Sequence, residues 1–236
     1  MFPLRDINPT RRLPILTYTL IAANVLVFFW QLTMSQQELF VMWQSLTVIP
    51  RNISAAPLAA ESILDTFRSM FFHGGWAHLG GNMLYLFLFG DNVEDYLGKV
   101  MYLVVYFASG VAAVAAQVIT DPTSPIPLVG ASGAIAGVLG SYLVLYPNVR
   151  VQGIIFLGGF GVIRELPAWV VLGFWFVIQL FNGIAGLGVQ TGGGVAFFAH
   201  VGGFVLGAAA TYVLMMFIPH PDAPERVEMV YRKRGY

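Results

Sequence analysis

The chain reads as an all-α, polytopic membrane protein built from a bundle of six transmembrane helices. Three observations predict this. Of 236 residues, 57% are hydrophobic and only 10% charged, with a mean hydropathy of +0.73. Apolar segments recur at close to the ~20 residues that a bilayer-crossing helix needs. The basic residues also fall almost entirely on one side of the resulting layout. A soluble domain carries about 25% charged residues, so the composition argues against a disordered chain, a nucleic-acid binder and a water-soluble enzyme. With no cysteine, disulfides, thiolate nucleophiles and Cys-based metal sites are excluded.

The first span covers 14–32 and opens on Pro14, which suits a first helical turn because its missing N–H costs nothing there. No small-residue cleavage site follows a short apolar core, so this reads as a retained helix and not a signal peptide. The connection 33–72 is amphipathic and contains Trp43, Pro50 and Pro57, which predicts short interfacial helices. The second span runs over 76–93 and the third over 99–119. Pro122, Pro125 and Pro127 hold the next loop, and the fourth span starts at Ser132 and ends before Pro147. The stretch 151–163 is too short to cross, which predicts a hairpin or re-entrant segment. The fifth and sixth spans cover 167–185 and 195–218. With both termini inside, ten basic residues lie on the inner side and only Arg51 and Arg68 on the outer side. The layout is a single membrane domain over 1–236 (core about 13–218) with short cytoplasmic tails.

In this orientation spans two, four and six begin at the outer face, and each carries polar residues near its start: His78 and Asn82, Ser132, and His200. Polar groups inside a membrane are costly and usually face a protein interior or a wet cavity. Their common depth on three helices therefore predicts a site. His78 and Asn82, four apart, share one face of a helix. Ser132, Ala136 and Gly140 form a stripe with little bulk, and His200, Gly203 and Gly207 a second one. Two such faces allow the close backbone approach that an imidazole needs to reach a hydroxyl at roughly 2.6–3.2 Å. His73 belongs either to the outer wall of this site or to the fold of the loop before span two.

Three motifs carry a family resemblance: Phe71-Phe72-His73-Gly74-Gly75-Trp76-Ala77-His78-Leu79-Gly80-Gly81-Asn82, Gly130-Ala131-Ser132-Gly133 and Ala199-His200-Val201-Gly202-Gly203. In order, separation and helix placement they resemble the rhomboid intramembrane serine proteases. The resemblance implies that Ser132 is the nucleophile and His200 its general base. It further implies an oxyanion hole from His78, Asn82 and the backbone N–H of Ser132, with Gly130, Gly133, Gly203, Gly207 and His73 in support. The implied substrates are transmembrane proteins cut near the outer ends of their helices, in the lipid bilayer and without a cofactor, metal or nucleic acid. The implied compartment is a prokaryotic cell (inner) membrane.

One departure stands out. Some rhomboids stack an aromatic residue, four positions after the serine, on the histidine; here that position is Ala136. His200 is then expected to be held by packing or a water-mediated contact. No acidic residue falls in the middle of a span, so the expected machinery is a Ser–His dyad and not a triad. The glycine-rich segment 182–198 is expected to cap the site as a mobile loop. A transporter would place polar groups at the midplane, often with a carboxylate. A membrane aspartyl protease would need two intramembrane aspartates, whereas Asp91 and Asp95 sit at the inner end of span two. A zinc protease would need an H-E-x-x-H helix, which is absent.

Overall fold

Helix α1 (Ile15–Gln31) is followed by three short helices, α2 (Gln36–Leu46), α3 (Pro50–Ala55) and α4 (Ala60–Arg68). Then come a long helical segment α5 (Trp76–Thr120), a central helix α6 (Ser132–Leu145), and two further helices, α7 (Ala168–Ala185) and α8 (Phe197–Leu214). The computed structural model describes residues 2–157, 160–187 and 195–219. By length and composition α5, α7 and α8 are apolar enough to cross a membrane, and α1 and α6 are shorter apolar helices. This is an integral, multi-pass membrane protein.

The segment α5 is not one rod. Gly98 leaves the helical region at φ +72°, a conformation that glycine adopts without the Cβ penalty. The chain turns back there: Thr17 Oγ1 donates to Glu94 on one side of the break at 2.8 Å and lies 3.1 Å from the Tyr102 hydroxyl on the other. The helices predicted over 76–93 and 99–119 are therefore the two arms of α5. The short interfacial helices expected over 33–72 are α2, α3 and α4, the first opened by a reciprocal Ser35–Glu38 capping box.

The fold is all-α, as expected, with one small sheet beside the helices among the described residues. Strands β1 (Phe2–Asp6), β2 (Arg150–Leu157) and β3 (Phe160–Pro167) form an antiparallel sheet in the order β1-β2-β3. The hairpin alternative for 151–163 is the one realised, extended to 150–167. It links the end of α6 to the start of α7.

This sheet shares one end of the molecule with the turn of α5. Asp6 accepts from the Tyr142 hydroxyl at 2.9 Å and from the Asn92 amide at 3.0 Å. Arg11 pairs with the buried Asp95 at 3.0 Å. Glu94 accepts from Leu16 N, Thr17 N and Thr17 Oγ1, so a carboxylate from α5 satisfies the N–H groups that the first turn of α1 leaves without intrahelical partners. Ser132 begins α6 at the opposite end, about 20 Å away along the helix at 1.5 Å per residue.

Every residue of α6 from Gly133 to Tyr142 is buried, because α5 and α8 wrap it. Glycines set the spacing. A Cβ placed on Gly203 would strike the carbonyl oxygen of Gly133, one on Gly207 that of Gly137, and one on Gly140 that of Phe204. Ser141 donates across the same seam to Gly207 O at 3.1 Å and receives Thr211 Oγ1 at 2.8 Å.

Two outcomes follow from this packing. Gly203→Val should lower stability by about 1–3 kcal/mol or more, as overpacking does. Gly80→Ala, which meets nothing within 4 Å, should leave the unfolding midpoint in detergent unchanged; equal midpoints for both variants would contradict the contact. Burial and the neighbouring Asp91 carboxylate push the Asp6 carboxyl from 3.8 up to about 8. The folded protein thus holds a proton that the unfolded chain releases, so this contribution is complete below pH 3.8 and is lost as pH rises through about 8. The unfolding midpoint should fall from about pH 5 to pH 9. That slope should flatten in Asp6→Asn, and identical slopes would refute the assignment.

Candidate active site

Ser132 is the first residue of α6, and its position is fixed from both directions. Behind it, the packed helix cannot slide without breaking the glycine contacts with α8. Ahead of it, the loop is tied to the segment between α2 and α5 by Leu128 N donating to Val48 O at 2.8 Å and Gly130 N donating to Ser69 O at 2.9 Å. Gly130 has φ +125°, and a Cβ there would lie 2.7 Å from the His78 ring. Glycine is required at that position twice over, for its backbone and for the space it leaves the imidazole.

From α8, His200 is buried and brings Nε2 to 2.8 Å from Ser132 Oγ. This is within the range for proton transfer between a hydroxyl and a base. The seam that makes the distance possible includes two members of the predicted stripe, Ser132 and Gly140, and adds glycines beside it. Gly133, Gly137 and Gly140 of α6 meet α8 and the second arm of α5, where Ser109 and Ala113 lie under Gly137 and Gly133. On α8, Gly203 and Gly207 make the matching contacts.

His78 and Asn82 project from the first arm of α5 toward Gly130. Gly74 N donates to His78 Nδ1 at 3.4 Å, which leaves the proton of the neutral ring on Nε2, the nitrogen nearer Gly130. Asn82 Nδ2 lies 2.9 Å from His73 Nε2, so one of its two N–H groups is spent on His73 and one stays available. His73 is itself held in the loop: Gln31 accepts from its backbone N–H at 3.0 Å and donates to its carbonyl at 3.1 Å. His73 thus ties the loop to α1 and also touches Asn82.

The packing expected to hold His200 comes from α7, together with a direct hydrogen bond that was not expected. His200 Nδ1 lies 2.7 Å from Gln179 Oε1 on α7, and the Trp175 ring, one turn earlier on the same helix, sits 5.8 Å from the imidazole centroid at 34°. Neither residue was singled out from the sequence. The available signal was Gln179 itself, a polar amide within the apolar run Trp175-Phe176-Val177-Ile178-Gln179-Leu180-Phe181.

The buried carboxylates Glu94 and Asp95 are committed at the far end of the molecule. Among the described residues no group of three His, Cys, Asp or Glu is placed to hold a metal ion. Of the predicted cap 182–198, residues 188–194 lie outside the described residues. Its two ends are helical, closing α7 and opening α8.

A family model for the rhomboid domain matches residues 60–217, which contain all of the residues above except Gln31 and Val48. The chain is 29% identical over 227 residues to the rhomboid protease AarA of Providencia stuartii, covering 87% of this chain and 74% of that one. It is 28% identical over 197 residues to the mitochondrial Rhomboid protein 1 of Saccharomyces cerevisiae (81% and 51%). It is 35% identical over 121 residues to the rhomboid protease GluP of Bacillus subtilis (51% and 23%). The last two matches span about half and about a quarter of those relatives' own lengths. With the domain model covering more than half of its residues, and with a serine and a histidine in contact beneath a glycine-packed seam, this chain belongs to the rhomboid family of membrane serine proteases.

Proposed function

We propose that the chain is an intramembrane serine endopeptidase that hydrolyses peptide bonds in or near transmembrane helices of other membrane proteins by a Ser–His dyad. The observation that carries this reading is the 2.8 Å approach of His200 Nε2 to Ser132 Oγ at the start of a helix with one N–H-bearing face of α5 beside it.

A serine hydroxyl is a weak nucleophile until a base takes its proton. His200 accepts it as Ser132 Oγ attacks the scissile carbonyl carbon. The carbonyl oxygen takes the negative charge and is met by Asn82 Nδ2–H, His78 Nε2–H and the Ser132 backbone N–H, one of the free donors at a helix N-terminus. Collapse of the tetrahedral intermediate breaks the C–N bond, and His200 gives its proton to the leaving amine. Water then attacks the acyl-serine by the same route, returning the proton to Oγ.

The membrane reading completes the proposal. The two arms of α5 supply two crossings, with α1, α6, α7 and α8 supplying four. The excess of basic residues argues for both termini inside and Ser132 toward the outer face, and the resemblance to the family argues for a prokaryotic cell membrane. At 14 residues, α6 spans only about 21 Å of a ~30 Å core. Ser132 therefore lies below the outer surface in a depression that admits water.

Purified protein in detergent should cut a transmembrane substrate into two fragments, and Ser132→Ala should abolish this without changing the unfolding midpoint. A serine-directed fluorophosphonate should add mass at Ser132 only while His200 is intact. Asn82→Ala should lower kcat about 100–1,000-fold. Normal cutting by Ser132→Ala would end the proposal.

A further inference from the structure

We infer that Gln179 is a positioning residue for His200, holding it by an uncharged amide in the place where a soluble serine protease would use a carboxylate. This rests on the Ser–His reading above. Gln179 Oε1 can only accept a hydrogen bond, and it lies 2.7 Å from His200 Nδ1. Nδ1 therefore carries the proton of the neutral ring, and Nε2 presents its lone pair to Ser132 Oγ–H at 2.8 Å. The other tautomer would point an N–H at the hydroxyl and could not take its proton. A single contact on the far side of the ring thus decides whether the base is competent.

The helix carrying Gln179 does this with two side chains. Trp175 and Gln179 are four apart and share one face of α7, the first lying along the His200 ring and the second fixing its proton. Together they supply what Ala136 lacks the bulk to supply from α6. When His200 becomes an imidazolium, Nδ1–H still donates to the amide oxygen, now as a charge-assisted bond. An ionised carboxylate at the same depth would carry a desolvation cost that the neutral amide avoids.

The test uses the full chain in detergent micelles with a transmembrane substrate, reading kcat and KM separately. Gln179→Met keeps the length and volume but removes the acceptor oxygen. The expected result is kcat lower by roughly 10–100-fold, as for an impaired general base, with KM and the unfolding midpoint unchanged. Gln179→Glu restores an acceptor oxygen and should recover most of the lost kcat. Nitrogen-15 spectra of His200 should show Nδ1–H in the wild type and in Gln179→Glu, and a share of Nε2–H in Gln179→Met. Wild-type kcat in a folded Gln179→Met overturns the inference, as does a loss that Gln179→Glu fails to recover. A wild-type ring protonated on Nε2 overturns it without any variant. Ser132→Ala in the same assay separates the two readings. If it is inactive while Gln179→Met is fully active, only the role of Gln179 falls; if it still cuts, the site itself is misassigned.

Discussion

The backbone-to-backbone contact between α6 and α8 is the constraint on which the rest of the structure depends. Carbonyl oxygens of Gly133 and Gly137 occupy the space where Gly203 and Gly207 have no side chain. Lipid tails give no hydrophobic drive to helix association, so close packing must hold such a pair together. The same closeness sets the geometry of the candidate site: Ser132 and His200 sit at one end of this seam, and larger residues along it would widen the gap between hydroxyl and imidazole. Ser141 and Thr211 add polar contacts farther along the seam, away from that end. They tighten it without competing for Ser132 or His200.

Around that seam, buried polar side chains are tied to partners that fix helices relative to one another. Glu94 caps α1 from α5, Asp95 holds Arg11, and Asp6 fastens the sheet to Tyr142. At the other end, Gln31 grips the backbone of His73, and His73 in turn grips Asn82. An unpaired polar group in an apolar interior costs several kcal/mol, so each of these contacts is strongly preferred once the helices pack. The consequence at the site is preorganisation. Asn82 reaches its place already oriented, with one N–H committed and the other left to meet a developing charge.

The helices were legible from the sequence because lipid selects runs of apolar residues with sharp ends. Pro14, Pro147 and Pro167 mark three of those ends within two residues. The site residues were legible because polar side chains inside spans are rare enough to signal function. The seam was legible in part: Gly140 belongs both to the stripe Ser132–Ala136–Gly140 and to the run Gly133, Gly137 and Gly140, and composition alone does not separate two adjacent faces. Strand β1 left no trace: five residues, Phe2-Pro3-Leu4-Arg5-Asp6, lack any alternation, and their partner lies some 150 positions away. Gln179 is hard to read from the sequence for a related reason: its partner is on another helix, and in serine proteases that work in water the residue behind the histidine is acidic.

That last difficulty has a physical root. In water an Asp or Glu beside the base is inexpensive and adds electrostatic help to orientation. At membrane depth the terms reverse, because removing an ionised carboxylate from water costs several kcal/mol before it helps anything. An amide oxygen supplies the orientation and part of the electrostatics without that cost. The acidic residues of this chain obey the same rule. Among the described residues, the buried Glu94 and Asp95 lie at the turn of α5, where backbone N–H groups and Arg11 meet them, and the desolvated Asp6 is pushed toward its neutral form; the end that carries Ser132 and His200 is served by neutral donors and acceptors. A third residue in a membrane-embedded serine protease is thus better sought among amides and hydroxyls facing Nδ1 than among carboxylates.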